Sequence, residues 1–123
     1  GTARHELNKI LPKGLKDLFS VIVTGSDVKK GKPNPEPYKK VLKALKLKTE
    51  DCIVIENAPL GIESAKAAKL KCLALETSLP KRYLRKADNI FSTFDDLTQA
   101  IEFIIGLPSD VCIPEIGIKH TLG

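Results

Sequence analysis

Four short apolar runs, at residues 19–24, 52–56, 72–75 and 89–91, alternate along this chain with amphipathic stretches. Each run is almost continuously apolar, as a strand covered on both faces must be, and the amphipathic stretches between them can supply the covering helices. Repeated β-α units of this kind build a parallel sheet. The expectation is therefore an α/β fold with four short strands and helices on both sides.

The helices follow from capping and period. Asn34 can cap a helix that has Pro35 in its first turn and Glu36 near the positive end of its dipole. Tyr38, Val41, Leu42 and Leu45 then fall at i, i+3, i+4 and i+7, which predicts an inward stripe and leaves Lys39, Lys40, Lys43 and Lys46 toward water. A second helix is predicted from Pro59 to about Leu70, with Ile62, Ala65 and Ala68 against the sheet. A third opens at Thr93, with Asp96 three residues on, turns Phe94, Leu97, Ile101 and Ile104 inward, and stops at Gly106 and Pro108. A short helix over 2–11 ends at Pro12 and Gly14. The chain reads as one domain at 1–105 followed by an extension at 106–123 that lacks a clear period.

The formal charge of +5 raises the question of nucleic acid. Its excess lysines concentrate at 29, 30, 32, 39, 40, 43, 46 and 48, where Tyr38 is the one aromatic residue and no nucleic-acid motif occurs. A solvated helix face accounts for them, and no nucleic-acid partner is expected. Cys52, Cys72 and Cys112 are odd in number and free of any C-x-x-C pattern, so neither a disulfide framework nor zinc is indicated. Together with the absence of a long apolar stretch or a signal-peptide pattern, this predicts a cytoplasmic protein that does not engage a membrane.

Chemistry concentrates in two places. Gly31-Lys32-Pro33-Asn34-Pro35-Glu36 sets one lysine between a glycine and a proline at the mouth of a helix, where an ammonium can hold phosphate as a point charge. The alternative is one more solvated lysine in a lysine-rich segment. Ile53-Val54-Ile55-Glu56-Asn57 ends an apolar strand in two oxygen-bearing side chains, the ligand type magnesium takes. Here the alternative is that Asn57 caps the helix beginning near Pro59. Both segments fall beyond the carboxyl ends of strands, where open parallel sheets bind ligands.

Taken together, G-K-P-x-P-E and E-N-A-x-x-G-I resemble the haloacid dehalogenase superfamily, more narrowly its phosphatases and phosphomutases near β-phosphoglucomutase and phosphoglycolate phosphatase. The resemblance runs from about Gly1 to Leu97 and includes Val23-Thr24-Gly25-Ser26-Asp27-Val28 ahead of the lysine motif. It implies a Rossmannoid three-layer sandwich, a small phosphorylated metabolite as substrate and Mg2+ as cofactor. It also implies Lys32 as the catalytic, phosphate-binding lysine, Glu56 and Asn57 as metal ligands, and a phosphate contact from Thr2.

Three departures accompany the resemblance. Asn57 stands where the family usually has aspartate, and Lys69 where it has glycine. The nucleophile motif D-x-D-x-T does not occur in the sequence. The expectation is thus part of a phosphohydrolase, lacking the central nucleophile strand and the cap, inactive alone, and prone to self-association or strand exchange at exposed sheet edges. The alternatives are a non-catalytic binding or regulatory module and, more distantly, a polyanion binder.

Overall fold

The computed structural model describes residues 3–106. Thr2, Cys112, His120 and the extension beyond Gly106 lie outside the described residues.

Three strands form one parallel sheet in sequence order: β1 (Ile53–Glu56), β2 (Lys71–Leu75) and β3 (Asn89–Phe91). Val54 lies opposite Cys72 and Glu56 opposite Ala74, while Ala74 and Leu75 lie opposite Ile90 and Phe91. Because side chains alternate across a strand, this register sends Val54, Cys72, Ala74 and Ile90 to one face and Ile53, Ile55, Leu73, Leu75 and Phe91 to the other.

Helices cover both faces, which gives the three layers. α3 (Glu36–Leu45) and α4 (Pro59–Ala67) lie on the first face, where Tyr38, Leu42, Ile62 and Ala65 meet the strands, and the fully buried Leu84 completes that core. Ala65 and Ala68 are small enough to let α4 approach the sheet closely. α5 (Phe94–Ile105) covers the second face through Leu97 and Ile101. Its start is the expected one: the Thr93 hydroxyl accepts from the Asp96 N–H at 3.1 Å. Cys72 packs as a small hydrophobe, and its burial pushes the thiol up to about 12.

The expected strand at 19–24 is not part of the sheet. Residues 21–24 pair with no strand among those described, so the sheet has three strands rather than four, and residues 21–24 do not close directly onto β1. A strand needs a hydrogen-bonding neighbour, and an apolar run contains no information about whether one is present. Two helical stripes are also narrower than expected: Leu45, Phe94 and Ile104 are exposed. In the N-terminal part, α1 (Arg4–Ile10) buries Leu7, and a short α2 (Lys13–Lys16) forms where Pro12 and Gly14 predict a stop. Pro12 fits there because its carbonyl accepts from the Leu15 and Lys16 N–H groups.

Arg4 ties α1 to the loop at 22–27. Its guanidinium donates to both Asp27 carboxylate oxygens and, at 3.1 Å, to the Ile22 carbonyl. The Thr24 backbone N–H and hydroxyl bind the same carboxylate, and with Arg4 they hold its pKa at about 2. Arg4 is thus a structural partner of Asp27. Among the described residues no helix is long and apolar enough to cross a membrane.

Candidate functional site

The segment from Gly31 to Glu36 is held at several points before it delivers Lys32. The Asn34 N–H donates to the Gly31 carbonyl at 3.0 Å and closes a turn around Lys32 and Pro33, whose peptide bond is cis. The Asn34 side chain accepts from the Glu36 N–H at 3.0 Å, one residue ahead of the N-cap, which is Pro35 rather than the expected Asn34 and makes no side-chain cap bond of its own. The Glu36 carboxylate accepts the Lys29 and Lys30 N–H groups at 2.7 and 2.9 Å, which keeps its pKa below the ordinary value. From α4, the fully buried Ser64 hydroxyl donates to the Asn34 carbonyl at 2.6 Å.

The result is a convergence on the last residue of β1. Lys32 Nζ forms an ion pair with Glu56 Oε1, and the two side chains are only 12% and 5% exposed. Tyr38, from the first turns of α3, donates its hydroxyl to the same oxygen at 2.6 Å, and its ring centroid lies 5.0 Å from Lys32 Nζ. The Asn57 N–H approaches Glu56 Oε2 at 3.3 Å. Burial, reinforced by the Glu56 charge, raises the Tyr38 hydroxyl far above its ordinary pKa and keeps it a donor. A buried ion pair is tolerable only when further hydrogen bonds satisfy it, and Tyr38 and Asn57 provide them.

Gly61, in the first turn of α4, makes room for this arrangement. A Cβ placed there would overlap the Glu56 carboxyl group. The glycine of the Pro59-Leu60-Gly61 run is therefore required by close approach rather than by backbone conformation. Asn57 sits beside the pair and donates its amide to the Thr77 hydroxyl at 3.0 Å, linking the carboxyl ends of β1 and β2. It does not cap α4, whose N-cap is Ala58 with no side-chain hydrogen bond.

Of the residues expected from sequence, Lys32, Glu56 and Asn57 lie together, and Thr2 falls outside the described residues. Tyr38, Ser64 and Gly61 join them. Glycine at that offset is part of the motif itself, whereas the helical period marked Tyr38 and left Ser64 unmarked.

The donor set accommodates part of a magnesium shell. Asn57 offers a neutral amide oxygen and Glu56 its Oε2, against roughly six oxygens that the ion takes. Among the described residues no group of three His, Cys, Asp or Glu side chains gathers to complete one. Chemically, the site presents a positioned ammonium, suited to an oxyanion, beside carboxylate and amide oxygens, suited to a cation.

Comparison with known proteins shows the family to which the chain belongs. Residues 2–75 match the family described as haloacid dehalogenase-like hydrolase. A validoxylamine A 7'-phosphate phosphatase of Streptomyces hygroscopicus subsp. limoneus is 38% identical over 86 residues, which cover 70% of this chain and 39% of that protein. The bifunctional riboflavin kinase/FMN phosphatase of Arabidopsis thaliana is 39% identical over 87 residues, 69% of this chain and 23% of the enzyme. Among solved structures, a HAD family hydrolase from Deinococcus radiodurans R1 with bound phosphate and sodium superposes with a TM-score of 0.67 at 26% identity, covering 76% of this chain and 45% of that one. The chain thus spans less than half the length of each of these relatives.

Proposed function

The chain belongs to the haloacid dehalogenase-like hydrolases, and on that premise we propose that it is the phosphate-holding part of a phosphatase or phosphomutase acting on a small phosphorylated metabolite. The supporting observation is the Lys32–Glu56 pair at the carboxyl end of β1, oriented by Tyr38 and by the tethered loop. Several relatives are phosphatases of phosphorylated small molecules by name, among them a phosphorylated carbohydrates phosphatase of Thermotoga maritima.

In this reading Lys32 binds the transferring phosphoryl group and offsets its charge as an aspartyl-phosphate forms on a residue of the parent protein. Preorganised charge of this kind acts by stabilising the transition state without reorganisation. Glu56 holds the ammonium in place. Glu56 Oε2 and the Asn57 amide oxygen are this chain's contribution to a magnesium shell, with the other ligands from outside the described residues. Magnesium bound there would supply further positive charge to the phosphoryl oxygens.

The test is hydrolysis of p-nitrophenyl phosphate by the longest natural product that contains this sequence. Lys32→Ala is expected to lower kcat/KM by about 100-fold or more, in the range of other oxyanion donors. Activity unchanged by that substitution contradicts the role of Lys32. Phosphate binding without turnover in that product would favour the non-catalytic reading.

A further inference from the structure

Tyr38 touches both members of the buried pair. Its hydroxyl reaches Glu56 Oε1 at 2.6 Å, the oxygen that also takes the Lys32 ammonium, and its ring lies 5.0 Å from Lys32 Nζ. A phenylalanine would fill the same space in the first core and keep the ring beside the ammonium, so packing alone does not call for the hydroxyl. Two donors on one carboxylate oxygen share its charge. The hydroxyl therefore weakens the hold of Glu56 on Lys32, while the ring face offers the ammonium a second, softer attraction.

We propose that Tyr38 is a positioning residue for phosphate: its hydroxyl takes up part of the Glu56 charge and its ring carries the Lys32 ammonium, so that an arriving anion can draw on a lysine the carboxylate does not hold alone. This rests on Lys32 as the phosphate ligand. Without the hydroxyl, the buried carboxylate loses a donor and leans on Lys32, and the ammonium is drawn back from the strand edge.

The experiment is a titration of this chain with inorganic phosphate, following phosphate affinity and the 1H–15N resonance of the Lys32 ammonium, in the unmodified protein, Tyr38→Phe and Lys32→Met. The expected result for Tyr38→Phe is a preserved backbone amide spectrum, a Kd raised about tenfold, as loss of one charge-assisted hydrogen bond implies, and a shifted ammonium resonance. A purely structural tyrosine would leave the ammonium resonance and the Kd unchanged in the folded phenylalanine variant, and that result overturns the proposal. Phosphate binding by Lys32→Met equal to that of the unmodified chain overturns the Lys32 reading and this inference with it, as does an unmodified chain that binds no phosphate. Should Tyr38→Phe fail to fold, the unmodified protein decides. Lys32 ε-methylene protons beside the ring are expected upfield of ordinary lysine, with and without phosphate, and their appearance at ordinary positions overturns the proposal.

Discussion

Lys32 and Glu56 place opposite charges where little water reaches them, so each depends on the other. Removing one partner leaves a buried charge, and Lys32→Met is expected to destabilise the fold by about 3 kcal/mol in urea unfolding. Gly61→Ala attacks the same point from α4. Its methyl group would overlap the Glu56 carboxyl, so it is expected to lower stability by about 2 kcal/mol and to shift the Glu56 and Lys32 side-chain resonances. Asp27 gives a prediction in pH. Its carboxyl titrates at about 2 in the fold against an ordinary 3.8, so folding favours the charged form. That contribution is complete above the ordinary value and disappears as pH falls from about 4 toward 2. Urea midpoints measured across this range should fall less steeply for Asp27→Asn than for the unmodified chain; equal slopes would contradict a carboxyl held low by Thr24 and Arg4. Lys32 stood out in the sequence because glycine and proline flank it. Tyr38 was legible only as one position of an inward stripe, since helical period says which face a residue occupies and nothing about a hydroxyl meeting a carboxylate eighteen residues away.

At the level of elements, the loop that delivers Lys32 is fastened to α4 by one buried bond from Ser64 to the Asn34 carbonyl. Ser64→Ala leaves that carbonyl without its partner and is expected to cost about 1–3 kcal/mol. Amide hydrogen exchange should show the greatest loss of protection around residues 31–36, and a uniform loss would count against the tether. The end of α4 carries the opposite opportunity. Lys69 adopts φ +65°, the left-handed conformation that a side chain disfavours and glycine does not. Lys69→Gly is therefore expected to raise stability by about 0.5 kcal/mol once the entropy of glycine is offset, measurable as a higher urea midpoint. Helix starts were legible to within a residue because capping is local: Thr93 caps α5 as expected, and Asn34 bonds the Glu36 N–H although α3 has Pro35 as its N-cap. The helix faces were less so. Phe94 and Ile104 continue the period of α5 but are exposed, whereas Leu97 and Ile101 pack against the sheet.

For the molecule as a whole, β1 carries the site and is also an edge of the sheet among the described residues. Among the described residues, 21–24 run without a strand partner, although their sequence reads as a strand. The apolar runs made the α/β class legible, but pairing is a property of the assembled sheet and could not be read from one segment. An edge strand without a covering neighbour favours association. The chain is accordingly expected to show a concentration-dependent mass in sedimentation equilibrium, and a constant monomer mass over a hundredfold concentration range would contradict this. Lys32, held by Glu56, is expected to bind phosphate. The most direct measurement is the thermal midpoint of this chain and of Lys32→Met with increasing inorganic phosphate, at matched ionic strength. A ligand that binds the folded state raises the midpoint as its concentration passes Kd. A rise is expected for the unmodified chain and none for Lys32→Met; equal rises in both, or none in the unmodified chain, would overturn Lys32 as the phosphate ligand.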